Sequence, residues 1–213
     1  MTSLSRPRNV AILIFDDVEV LDFCGPFEVF SVTGRNDAER PFHVFTVAEK
    51  PEPVTARNGL QVIPHYTLAN CPTADLLLVP GGQGTRREMH KAALLSWVVE
   101  RDAAAELTLS VCTGALILAK ANLLDGLEAT THHGAIDLLR ETAPRTHVDP
   151  NRRVVDNGRI ILSAGVAAGI DMSFYVVARL LGQEKAEETA RYIEYPWPRP
   201  GWETTEDVRS QQR

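Results

Sequence analysis

Cysteine is scarce in this sequence: Cys24, Cys71 and Cys112 are its only three among 213 residues. Three scattered thiols cannot build a disulfide framework, and the odd count fits a reducing cytoplasm better than secretion. Blocks of basic residues are also lacking. With a net charge of −6, nucleic acid and anionic membrane surfaces are disfavoured as partners. Long apolar runs are missing too. The first one follows Arg6 and Arg8 and stops at Phe15, where Asp16 and Asp17 begin. That is too short for a signal peptide or a membrane span. No internal repeat and no interdomain linker interrupts the chain, so its length fits one domain with a sizeable core.

What is present is an alternation of strand and helix patterns. Val10–Phe15, Phe42–Val47 and Asp75–Val79 are short continuous apolar runs, as expected of strands buried on both faces. An acidic loop, Asp16–Asp22, follows the first run. Gly25 and Pro26 then suggest a helix that starts at Pro26 and runs through Phe30 or Val32. Gly59–Ile63 reads as an edge or hairpin segment. Ala92–Ala105 reads as an amphipathic helix, and Leu107–Val111 as a further strand. Thr113–Leu123 and Ala167–Leu181 are helices with little polar surface, which places them in the interior. Glu128–Thr131 reads as a strand and Ile136–Arg140 as a helix. Asp156-Asn157-Gly158 between two apolar runs is a hairpin signal. Glu184–Tyr192 forms a last helix, and a Pro-rich, polar tail follows Tyr195. The alternation argues an α/β sandwich around a mainly parallel sheet. Ligands of such sheets bind at the carboxyl ends of the strands.

Three segments fall at such ends. The most informative is Leu107–Gly114, where an apolar strand runs into Cys112 and a helix begins at once. Such a nucleophile elbow aims the sulfur at helix N–H groups, which favours thiolate. A buried structural cysteine is the equal alternative. The second is Pro80-Gly81-Gly82-Gln83-Gly84, which lets backbone N–H groups approach a ligand. One oxyanion donor from this loop and another from Thr113 would form a pair, whereas a plain tight turn is the alternative. The third carries Asp22 between Leu21 and Phe23. An acid in an apolar cleft has a raised pKa and can exchange protons near neutrality. A helix cap is the local alternative. His132 and His133 follow a strand end and could line a pocket. A zinc site built from them and Cys112 lacks a recognisable ligand spacing.

Five motifs occur in one order: Leu21–Phe30, Val79–Gly84, Ser110–Ala115, Ala129–His132 and Ala164–Asp171. In this the chain resembles the ThiJ/PfpI superfamily over about residues 9–195, with an N-terminal arm at 1–8 and a tail at 196–213. The resemblance implies a three-layer, flavodoxin-like α/β sandwich of the class I glutamine amidotransferase type. Within it the chain is most similar to isocyanide (isonitrile) hydratases and, equally, to the ligand-sensing domain of AraC-type regulators. Thr113 stands where the peptidase and glutaminase branches carry His, which argues against those chemistries. No helix-turn-helix region follows within this sequence, so DNA binding is not expected.

The resemblance also implies roles. Cys112 would be the nucleophile and Asp22 the acid/base. N–H groups at Gly82 and Thr113, with the Thr113 hydroxyl, would steady developing charge. Gly81 and His132 would line the pocket, with His133 where the hydratase pattern has Trp; the small Gly165 permits close approach to a ligand or, the safer alternative, to a neighbouring helix. Cys24, where another small residue such as Thr is common, could approach Cys112, with a plain small-residue role as the stronger alternative. No metal or organic cofactor is implied. The implied partners are a small-molecule substrate or ligand and a second copy of the chain. A redox or stress-response role through oxidation of Cys112 is a further possibility that the superfamily brings.

Overall fold

Val10, Ala11, Ile12, Leu13 and Ile14 are each at most 1% exposed. A run with no polar face can be satisfied only between two covering layers, and here it forms the middle of a sheet. The computed structural model describes residues 6–197, so the arm at 1–5 and the tail from 198 onward lie outside the described residues.

The chain begins with β1 (Arg8–Leu13), α1 (Val20–Val32) and β2 (Phe42–Ala48). A small hairpin of β3 (Val54–Thr55) and β4 (Gln61–Val62) follows, then β5 (Tyr66–Thr67) and β6 (Leu76–Val79). Next come α2 (Thr85–Glu88), α3 (Ala92–Ala104), β7 (Leu107–Val111) and α4 (Gly114–Lys120). The last part holds β8 (Glu128–Ala129), α5 (Ile136–Thr142), β9 (His147–Val148), β10 (Val154–Asp156) and β11 (Ile160–Ser163). It ends with α6 (Ala168–Leu181) and α7 (Gln183–Tyr192).

Seven strands form the main sheet in the order β10-β11-β7-β6-β1-β2-β5. Every neighbouring pair is parallel except β10 and β11, the predicted hairpin. Helices α1, α6 and α7 pack together, and α2, α3 and α5 pack around α4. These groups are the outer layers of the α/β sandwich. The chain moves outward from β1 to β2 and β5, then returns to β6 on the other side of β1. That reversal is a topological switch point, and it opens a crevice at the carboxyl ends of the strands.

Several boundaries differ from expectation. Helix α1 begins at Val20, not Pro26, and Pro26 lies inside it. The first turn therefore includes Asp22, and the acidic loop shrinks to Asp16–Glu19. Backbone bonds hold this early start: Glu19 N–H donates to the Gly81 carbonyl (2.9 Å), and Val18 bridges Gly82. Helix α4 stops at Lys120, short of Leu123, because Asn122 turns the chain with φ +57°. Strand β8 pairs only over Glu128–Ala129. Thr130 and Thr131 are drawn off by their hydroxyls, which donate to the carbonyls of Arg152 (2.9 Å) and Cys112 (2.7 Å).

Candidate active site

The crevice takes its parts from the three loops already singled out. At the end of β7, Cys112 has φ +57°. A non-glycine residue rarely adopts this left-handed conformation, and when it does the site is often functional. Its N–H is held by the carbonyls of Ser163 and Ala164, both at 3.2 Å. The elbow thus leans on the loop between β11 and α6.

Asp22 is fully buried. Its Oδ2 accepts from Gly81 N–H at 2.9 Å. The cap alternative fails, because Glu19 occupies the cap position and Asp22 bonds to a distant loop. The Cys112 thiol and the Val166 N–H also face the carboxyl. Burial pushes the Asp22 carboxyl from its ordinary 3.8 up to about 7, with Gly81 N–H the main opposing influence. Asp22 is therefore poised to exchange a proton near neutrality.

The thiolate expected at Cys112 is not what the surroundings favour. Burial, and then the neighbouring Asp22 charge, push the thiol up to about 12. Thr113 N–H and Val166 N–H pull in the other direction, as donors at a helix start should, but they are outweighed. At neutral pH the resting pair is a thiol beside a partly ionised carboxyl.

The glycine loop is also engaged differently from expectation. Gly82 N–H donates to the Thr113 hydroxyl at 3.0 Å, and Gly81 N–H holds Asp22. Neither is free to serve as an oxyanion donor. The donors facing Cys112 are instead the N–H groups of Thr113 and Val166. Gly82 has φ +122°, and a Cβ there would come within 2.3 Å of the Asp17 carbonyl. The Thr113 hydroxyl is clamped by Gly82 and by Thr85 Oγ1 at 3.1 Å, so it orients the loop.

His132 lies at the edge of this group. Its Nδ1 accepts from Gly134 N–H at 3.1 Å. A Cβ on Gly165 would stand 2.3 Å from its Cδ2, so Gly165 is where the ring meets the backbone. Burial, followed by the neighbouring His133 and Arg86, lowers the His132 pKa, with Glu19 opposing. The His133 ring lies tilted beside it with ring centroids 4.1 Å apart and is itself exposed. Cys24 is not brought to the sulfur. Two residues along α1 rotate it about 200° from Asp22, into a groove with Leu21, Ile170 and Ile193. All three cysteines are free thiols. Among the described residues no cluster of three or more His, Cys, Asp or Glu could hold a metal ion.

Sequence reasoning missed Val166, Thr85, Thr131 and Arg86. Val166 had a signal only in its position between Gly165 and Ala167, and its φ of +52° is unusual for a β-branched residue. Thr131 had a signal only as part of the Ala129–His132 motif, and Thr85 and Arg86 carry none, because their contacts arise across the fold.

Comparison with known proteins agrees with this architecture. The profile of the DJ-1/PfpI family matches residues 8–179, and the chain belongs to that family. Isonitrile hydratase of Pseudomonas putida is 35% identical over 188 residues, which is 88% of this chain and 78% of that protein. The HTH-type transcriptional regulator GbdR of Pseudomonas aeruginosa is 25% identical over 179 residues, 84% of this chain but 48% of the regulator. A crystal structure of a ThiJ/PfpI family protein from Pseudomonas syringae superimposes with a TM-score of 0.81. It is 31% identical and covers 97% of this chain and 84% of its own.

Proposed function

We propose that the protein is a cysteine-dependent hydratase that converts isocyanides, R–N≡C, to N-substituted formamides. The observation that carries this reading is the buried Asp22 carboxyl, held by Gly81 N–H and facing the Cys112 thiol. The similarity to an isonitrile hydratase supports the same choice of reaction.

The geometry suits a proton shuttle. Ionised Asp22 takes the thiol proton as the sulfur attacks the terminal isocyanide carbon. The N–H groups of Thr113 and Val166 steady charge on the sulfur during this step. Protonated Asp22 returns the proton to the same carbon, giving a thioimidate, R–N=CH–S–Cys112. Asp22 then removes a proton from water as the water oxygen adds to the thioimidate carbon, and delivers that proton to the nitrogen. The C–S bond breaks as the hydroxyl proton of the adduct passes through Asp22 to the sulfur, and R–NH–CHO leaves. Water is the only co-reactant, and no metal or organic cofactor takes part.

A second reading is a small-molecule sensor, favoured by the similarity to regulators over most of this chain. A redox role is less well supported, because oxidation follows thiolate character and burial here opposes the thiolate. A homodimer belongs to the proposal as well: exposed Leu21 and Tyr192 flank the groove of Cys24 and Ile193. Formamide production followed by proton NMR with alkyl and aryl isocyanides separates enzyme from sensor. Catalytic turnover supports the hydratase; saturable binding of the same isocyanides with no formamide formed would move the assignment to a sensor.

A further inference from the structure

Arg86 stands near enough to His132 to act on its ring electrostatically, and among the described residues no carboxylate pairs with it. Its Nη1 donates to the Gly82 carbonyl and to Thr85 Oγ1, both at 3.2 Å. That Thr85 hydroxyl is 3.1 Å from the Thr113 hydroxyl, next in the chain to Cys112. The guanidinium is thus one hydroxyl removed from the elbow. Neighbouring arginines are paired: Arg87 with Asp17 and Glu88, and Arg57 with Glu19 at 3.8 Å. Arg86 makes no ion pair among the described residues, so its Nε and Nη2 donors remain for a ligand. A half-buried guanidinium with a free donor edge is suited to a carboxylate.

His132 is a second donor. Gly134 N–H occupies Nδ1 of His132, so the neutral ring holds its proton on Nε2. His133, its ring tilted against that of His132, adds another polar ring. The competing charges are Glu19, answered by Arg57, and Asp22, which lies at the reacting end beside Cys112.

We infer that the mouth of the site selects substrates whose N-substituent carries a carboxylate, with Arg86 as the anion-binding residue and His132 as a supporting hydrogen-bond donor. This inference rests on the hydratase reading for the reacting end of the substrate. The selectivity at the other end has its own readout.

Two probe pairs test it: isocyanoacetate and para-isocyanobenzoate, each against its carboxamide. Their formamide products are measured in parallel by calorimetric binding, which needs no turnover. The expected result is a carboxylate preference of about tenfold or more in kcat/KM, and in product affinity, for at least one pair. Arg86→Gln should bring that ratio close to one, Arg86→Lys should restore part of it, and added salt should weaken it. If isocyanides turn over with no preference for either carboxylate, the hydratase reading stands and this inference falls. If no isocyanide turns over but the carboxylate products bind preferentially through Arg86, the reaction is wrong and the anion selectivity holds. Equal affinity for carboxylate and carboxamide products, or no measurable binding of the carboxylates at millimolar concentration, overturns it.

Discussion

Replacing Asp22 by Asn should make the protein inactive and, above neutral pH, more stable. In the folded state the carboxyl titrates at about 7, against an ordinary 3.8, because burial disfavours its charge. The folded state therefore binds this proton more tightly than the unfolded chain. The resulting stability is fully present below about pH 4, falls as pH rises from there, and is lost above about pH 7. At about 1.4 kcal/mol per pH unit, the difference amounts to about 4 kcal/mol. Asn removes the charge and keeps an oxygen for Gly81 N–H, so the variant lacks this slope. Urea denaturation of both proteins from pH 4 to pH 8.5 reads the effect directly. The stability gap in favour of Asp22→Asn should open across that interval and level off near pH 8. Parallel pH dependences for the two proteins would show that Asp22 is not held in an apolar, charge-disfavouring site, and the proton-shuttle argument would lose its basis.

Other outcomes follow from the same geometry. The rate at low isocyanide concentration should rise with pH up to about 7, as Asp22 ionises, and then stay flat, because Cys112 titrates only near 12. A pH–kcat/KM profile with an alkaline limb below pH 9 would contradict this. Alkylation of Cys112 by iodoacetamide at pH 7.5 should be slower than that of a free cysteine, since burial holds the thiol protonated; peptide mapping by mass spectrometry follows it. Gly165→Ala should displace His132, whose Cδ2 would lie 2.3 Å from the new methyl, and should raise KM. Asp171→Ala should lower stability by about 2 kcal/mol or more. Asp171 is fully buried and accepts from Arg153 Nε at 2.6 Å and the Tyr195 hydroxyl at 2.9 Å. Thermal unfolding checks this last prediction.

The contrast between what was and was not legible in the sequence has a physical basis. Strands β1, β6 and β7 announce themselves because parallel central strands are apolar on both faces, and Cys112 announces the elbow because a strand runs into it without a spacer. Motif order then fixed the family. The start of α1 was misread because Pro26 and Gly25 are strong local signals. The bonds that begin the helix at Val20 come from Gly81 and Gly82, some sixty residues away. The direction of the Cys112 titration was misjudged for a similar reason. A helix start is visible in the sequence, while the burial that outweighs it is a sum over the whole fold. Arg86 and Thr85 had no chance of discovery, because nothing local distinguishes an arginine near a site from one in solvent.

The account stands or falls on the paired roles of Cys112 and Asp22. Formamide release from one isocyanide, measured by proton NMR for the native protein, Cys112→Ala and Asp22→Asn under identical conditions at pH 8, tests them most directly. The account predicts turnover by the native protein and none above background for either folded variant. Undiminished turnover in Cys112→Ala, or in Asp22→Asn, would contradict it.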